Sequence, residues 1–254
     1  MKIGFFDSGL GGLTILHAVR ALMPHYDYIF FGDTANLPYG DKSEEEIHQL
    51  TYEGIKRLFD AGAVLVIVAC NTASARSVRV HQDEMLKTEY PDRKLLGVIV
   101  PTVETLLETD AKKVLLIGTE RTIKSEKYVI ELRKGSEGMH LYTCATPALV
   151  PMIEAGDISR ACTYVCELID TRYSDVDTVV LGCTHYTLIK DCLRAEHVKN
   201  IISQDEIIPA KLKNYLSRHP EIESRLSRKG SVGVELSADT DEYERIRKML
   251  GVDV

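Results

Sequence analysis

Apolar residues along the chain come in short blocks, each closed by a polar or glycine-containing segment. Lys2–Phe6, Tyr28–Gly32, Lys94–Val100, Lys113–Gly118, His140–Cys144 and Asn200–Ile202 have the length and the β-branched and aromatic content of strands. Two further blocks, VLVIVACNT at Val64–Thr72 and DTVVLGCTHY at Asp177–Tyr186, are apolar without alternation. That pattern marks strands buried on both faces of a parallel sheet. Between the blocks the periodicity lengthens to that of helices. One runs from the glycine-rich turn after Asp7 to about Leu22, and one from Ser43 to about Ala61, where Ser43 and Glu46 form a capping box. Others are predicted over Ala73–Tyr90, from Val103, over Ser159–Thr171 and, after the strand that carries Cys183, to about Ala195. From Pro209 onward the chain is mostly helical and charged, with a strand at Ser231–Leu236, and is predicted to fold back over the first half.

Strands alternating with helices predict an α/β fold with parallel sheets. Asp7 precedes Cys70 by 63 residues and Thr119 precedes Cys183 by 64, which reads as an internal duplication of two α/β halves, each ending its third strand on a cysteine. A length of 254 residues allows two medium-sized domains.

The net charge of -7 supplies no basic field for nucleic acid or an anionic membrane surface, although local amides and helix ends can still bind a small anion. No apolar run approaches the roughly 20 residues of a membrane span. MKIGFFDSG does not read as a signal peptide, so a cytoplasmic location is expected. The six cysteines contain no C-x-x-C pair, and in a reducing compartment no disulfide framework is expected. Cys162 and Cys166, four apart, share a helix face that reads as core, and no metal site is expected.

The candidate chemistry sits at strand ends, where open α/β sheets bind ligands. Cys70 and Cys183 each end an apolar strand and are followed by polar residues, Asn71 and Thr72 in one case, Thr184 and His185 in the other. Either thiol alone reads as a buried structural cysteine; the pair reads as two acid/base groups facing one cleft. Asp7 and Ser8, and likewise Thr119 and Thr122, fit helix capping and substrate binding equally. The loop from Asp33 to Gly40 can present backbone groups to a ligand, and Glu154 stands in an apolar setting where it faces solvent, binds an ammonium group or assists proton transfer. Two groups of one type on opposite faces of a carbon suit a reaction that removes a proton from one side and returns it on the other, inverting a stereocentre. No lysine stands where a pyridoxal Schiff base would need it, and no cofactor is expected.

DSGLGGLT at Asp7–Thr14, GDTANLPYG at Gly32–Gly40, ACNTASA at Ala69–Ala75 and LGCTHY at Leu181–Tyr186, with IGTERTIKS at Ile117–Ser125 and VPMIEAG at Val150–Gly156, resemble in order and spacing the motifs of glutamate racemases of the aspartate/glutamate racemase family. The resemblance covers nearly the whole chain. It implies two pseudo-symmetric domains, each a mostly parallel sheet flanked by helices, with the active site in the cleft between them. The first would comprise residues 1–98 plus 207–254 and the second residues 99–206.

By the same resemblance the activity is cofactor-independent interconversion of L- and D-glutamate, supplying D-glutamate for peptidoglycan. Cys70 would deprotonate the D enantiomer with help from Asp7, and Cys183 the L enantiomer with help from His185, with Glu154 nearby. Ser8, Pro38, Tyr39, Gly40, Asn71, Thr72, Thr119, Thr122 and Thr184 would bind the substrate. A homodimer is implied, and regulation by a peptidoglycan precursor occurs in some members. Thr187, Val100 and Ser203-Gln204-Asp205 depart from the family pattern. The readings left beside it are a racemase for aspartate or another amino acid, and a small-anion binding protein without turnover.

Overall fold

The computed structural model describes residues 1–135, 138–193, 198–239 and 243–245. They form two parallel sheets. The first contains β1 (Lys2–Asp7), β2 (Tyr28–Gly32), β3 (Ala63–Val68) and β4 (Lys94–Gly97); the second contains β5 (Lys113–Gly118), β6 (His140–Ala145), β7 (Thr178–Gly182) and β8 (Asn200–Ile202). A last strand, β9 (Val232–Leu236), returns to the first sheet, giving the order β4-β3-β1-β2-β9, while the second sheet runs β6-β5-β7-β8. In both, the first strand of the set lies between the second and the third, and the fourth follows the third. The two halves therefore repeat one winding, as the matched spacings predict.

Side chains alternate across each sheet, and helices cover both faces. Phe5, Phe30 and Ile67 pack with Leu16, Val19, Ile208 and Leu212, whereas their neighbours Phe6, Phe31 and Val68 pack with Ile47, Ile55 and Phe59. In the second half Leu115, Ile117 and Val179 meet Val165 and Ile169, while Leu116 and Val180 meet Val103, Leu106 and Tyr128. The carboxy-terminal segment belongs to the first sheet because β9 pairs with β2 in parallel from Tyr28–Val232 to Gly32–Leu236. The helix Gln204–Arg218 joins the same core as helix Leu13–Leu22.

The capping box at Ser43 is present, with Glu46 N–H donating to Ser43 Oγ and Ser43 N–H donating to Glu46 Oε2. Several predicted boundaries move. The strand predicted to reach Val100 ends at Gly97, and a helix covers Ile99–Leu107. Pro101 lies in the first turn of that helix, where its missing N–H leaves no bond unmade. The helical stretch after Cys70 is three short helices, Asn71–Arg76, Val78–Asp83 and Met85–Thr88. After Cys183 the chain forms a 3₁₀ segment, Thr184–Leu193, in place of the predicted α-helix, whose predicted end at Ala195 lies outside the described residues. A period of three lines Tyr186, Ile189 and Cys192 in one row against helix Ile158–Arg172.

That row corrects the expectation of no disulfide: Cys162 and Cys192 are bonded, with their Cα atoms 5.8 Å apart. The pairing joins residues 30 apart in sequence whose proximity arises only when the 3₁₀ segment packs against the helix. Cys166, on the face shared with Cys162, donates its S–H to the Cys192 carbonyl. Residues 246–254, assigned by resemblance to the first domain, lie outside the described residues.

Gly54 shows how tightly helix Glu44–Asp60 lies on the sheet: a Cβ there would sit 2.3 Å from Phe6 Cε2. Gly54→Ala gains at most ~1 kcal/mol of helix propensity but overpacks the core by about 1–3 kcal/mol. The expected outcome is a lower urea midpoint at unchanged m-value in equilibrium unfolding.

Candidate active site

The carboxyl ends of β1 and β3 in the first sheet and of β5 and β7 in the second turn toward one another. β1 ends on Asp7 and leads into Ser8; Cys70 follows β3 and is the N-cap of helix Asn71–Arg76, its Sγ accepting from Ala73 N–H at 3.5 Å. In the second half Thr119 follows β5 and caps helix Glu120–Lys124 by accepting from Thr122 N–H, and Cys183 follows β7. Helix capping and a place in the cleft are thus one arrangement at Thr119. At the first strand the cap is Gly12, whose N–H donates to Asp7 Oδ2 at 2.9 Å.

Direct contacts bridge the halves. Thr184 Oγ1 donates to the Asp7 carboxylate, 3.4 and 3.5 Å from its two oxygens. Thr72, Thr119 and Thr122 bring three hydroxyls together, with Thr72 2.9 Å from Thr119 and 3.3 Å from Thr122. Tyr128 donates to Asn71 Oδ1 at 2.7 Å. Gly11 permits this approach, since a Cβ there would lie 2.5 Å from Thr184 Oγ1 and 2.8 Å from His185 N. The glycine turn is room for the opposite half.

Cys70, 5% exposed, lies 3.3 Å from Ser8 Oγ. Burial pushes its thiol up to about 12, the Asp7 charge adds to the rise, and the bonds from Ser8 and Ala73 oppose it. The Cys183 charge adds a smaller push, so the two sulfurs sense one another across the cleft. Asp7 is wholly buried and its carboxyl is raised by that burial, against the attraction of His185 and the amides of Gly12, Gly9 and Ser8.

On the other wall Cys183 Sγ lies 3.9 Å from His185 Nδ1, and His185 Nε2 lies 3.3 Å from Glu154 Oε1. Cys183 and His185 are buried, while the Glu154 side chain is 27% exposed. Arg245 donates to the Glu154 carbonyl, fastening the end of helix Leu149–Glu154. A thiol, an imidazole and a carboxylate therefore stand in series.

The Pro38–Gly40 loop borders the second half at Thr119, whose Cβ would be 3.4 Å from a Cβ on Gly40. Leu37–Pro38 is a cis peptide bond. Tyr39 is buried and gives its proton to Asp33 Oδ2 at 2.7 Å, so its phenol braces the loop, while Asn36 donates to the same carboxylate. Burial, then Asp33, drives the Tyr39 phenol upward in pKa. Asp33 went unselected in the sequence, as did Tyr128; a polar residue between apolar blocks carries no mark of what it will meet. Gln204, noted only as a departure from the family pattern, donates to Tyr128 Oη and to the Leu181 carbonyl.

Among the described residues no group of three or more His, Cys, Asp or Glu is placed to hold a metal ion, and no helix is long and apolar enough to cross a membrane. A cavity of about 670 Å³ lies elsewhere, lined by Val78, Leu96, Lys127, Lys211 and Tyr215 among others, and none of the candidate site side chains borders it.

Fold and site together define a two-sheet α/β protein with acid/base groups on both walls of an inter-sheet cleft. The profile of the family described as Asp/Glu/Hydantoin racemase matches residues 14–208, and the chain belongs to that family. It is 36% identical over 236 residues to the glutamate racemase of Roseobacter denitrificans, covering 87% of each chain. A crystal structure of a glutamate racemase isoform from Bacillus anthracis superposes with a TM-score of 0.86 at 27% identity, covering 100% of this chain and 95% of that one. The glutamate racemase of Francisella tularensis in complex with D-glutamate gives 0.85 at 27%, covering 98% and 92%.

The raised Cys70 thiol links stability to pH. Unfolded, it ionises at ~8.5; folded, only at about 12, so the folded state holds one more proton between these values. Its contribution is complete below ~8.5 and is lost as pH rises toward 12, at up to ~1.4 kcal/mol per pH unit. Urea unfolding of wild type and Cys70→Ala across this range should show the variant losing less stability per pH unit, by about one proton's worth.

Proposed function

We propose that this chain interconverts L- and D-glutamate without a cofactor, with Cys70 and Cys183 as the two proton carriers. The observation that carries the reading is that these buried thiols, one from each sheet, each stand within a set of proton-handling groups: Ser8 and Asp7 around Cys70, His185 and Glu154 beyond Cys183. The glutamate racemase names of its relatives support glutamate as substrate.

For the D enantiomer, the Cys70 thiolate takes the proton from Cα and becomes a thiol. The electron pair left on Cα is delocalised into the α-carboxylate, and the Cys183 thiol delivers its proton to the opposite face, becoming a thiolate. The product is L-glutamate, and the reverse reaction exchanges the two roles. Because burial raises Asp7 and Cys70 together and their charges repel, the pair holds one negative charge more readily than two. A proton passed from Cys70 to Asp7 leaves the required thiolate beside a neutral acid. When L-glutamate is the substrate, Cys183 must start as the thiolate: His185 accepts its proton and Glu154 offsets the imidazolium charge, while Cys70 keeps its own proton for the opposite face. The hydroxyls of Ser8, Thr72, Thr119, Thr122 and Thr184, the Asn71 amide and the Pro38–Gly40 loop bind the substrate and replace water around the carbanion.

In the same reading, residues 1–98 with 207–254 form one domain and residues 99–206 the other, with substrate between them. The chain works in the cytoplasm as a homodimer, and its product feeds peptidoglycan synthesis.

Incubation of the protein, with Cys70 and Cys183 as free thiols, with L-glutamate in D₂O should abolish optical rotation and place deuterium at Cα. Cys70→Ala and Cys183→Ala should each lower kcat at least ~100-fold in both directions, the scale of a lost general acid or base. Racemisation at the wild-type rate by either variant would sink the two-thiol mechanism. Turnover of aspartate in preference to glutamate would move the substrate assignment, and binding of glutamate without exchange would leave a binding protein.

A further inference from the structure

We propose that Gln204, acting through Tyr128, is a positioning residue that fixes which end of the Asn71 amide faces the substrate. Gln204, Tyr128 and Asn71 are 0%, 3% and 2% exposed and come from three helices, Gln204–Arg218, Lys127–Leu132 and Asn71–Arg76. The polarity of the chain is set at its far end. The Leu181 carbonyl can only accept, so Gln204 turns its nitrogen to it, at 2.7 Å, and offers the second amide proton to Tyr128 Oη at 3.3 Å. Reversing the Gln204 amide would set its oxygen against the Leu181 oxygen. The phenol, accepting there, gives its single proton to Asn71 Oδ1 at 2.7 Å. Asn71 must then turn its NH₂ away from Tyr128.

That NH₂ is buried and meets no acceptor among the described residues. A buried donor left unmatched is costly, and its retention points to an acceptor brought by a ligand. Asn71 directly follows Cys70, so under the racemase reading, on which the ligand's identity rests, the acceptor is a carboxylate oxygen of the amino acid whose Cα faces that thiol. Leu181 lies two residues before Cys183, so one relay ties the donor beside the first thiol to the strand that carries the second. Gln204 also gives its departure from the family pattern a task.

Neutron diffraction from the deuterated, ligand-free protein tests the polarity whether or not the protein turns over. The expected result is two deuterons on the Asn71 atom facing away from Tyr128 and a Tyr128 deuteron directed at Asn71; an ND₂ group facing Tyr128 overturns the proposal. Kinetics test the consequence. Tyr128→Phe should raise KM for L- and D-glutamate about tenfold, the scale of one bond to a charged group, while kcat falls less. Added to Asn71→Ala, the same change should raise KM less than twofold, because the donor it orients is gone. Gln204→Glu, which offers Tyr128 an acceptor, should reproduce the Tyr128→Phe effect. Full additivity of Tyr128→Phe and Asn71→Ala in KM, or a loss confined to thermal stability with KM unchanged, overturns the relay. Absence of racemisation in the wild type would refute the functional reading and leave the neutron result to decide this one.

Discussion

Desolvation of the groups at the sheet ends is the constraint to which the rest of the structure answers. Burial raises both Asp7 and Cys70, and the Asp7 charge raises the Cys70 thiol further. A cleft that keeps such groups needs donors close at hand, and they are supplied by backbone amides at helix starts: Gly12 for Asp7 and Ala73 for Cys70. The strand–loop–helix unit delivers these amides as part of its geometry, because the first turn of a helix has N–H groups with no partner within the helix. Strand-end placement of Asp7 and Cys70 and their electrostatics thus have one source.

The halves depend on each other at the same place. Asp7 receives Thr184, Thr72 meets Thr119 and Thr122, and Asn71 receives Tyr128. Gly11 has no side chain because Thr184 occupies that space. The second wall is braced from behind by packing of Tyr186 and Ile189 and by the Cys162–Cys192 disulfide, which tie the segment carrying His185 to helix Ile158–Arg172.

Much of the architecture was legible because it rests on local patterns. Strands β1, β2, β5 and β7 stand where uniform apolar runs put them, and the Ser43 capping box needs only residues three apart. Boundaries failed where local signals were ambiguous: Pro101 can end a strand or sit in a helix's first turn, and the residues after Cys183 fit α and 3₁₀ winding alike until Tyr186, Ile189 and Cys192 meet their neighbours. The candidate thiols, Asp7, His185 and the threonines were legible as strand-end polar residues. Asp33, Tyr128 and the partner role of Gln204 were not, since each acts on a residue distant in the chain or carried by another element.

By itself the sequence determined a duplicated α/β chain with a cysteine closing the third strand of each half, because period and spacing are properties of neighbours along the chain. Only the tertiary structure decided what those cysteines meet. It brought Thr184 to Asp7 across 177 positions and Tyr128 to Asn71 across 57, and it turned a glycine-rich helix start into the place where two domains touch. The depth of burial that sets the Cys70 thiol follows from that approach, since the surface removing water from it belongs to no single stretch of sequence.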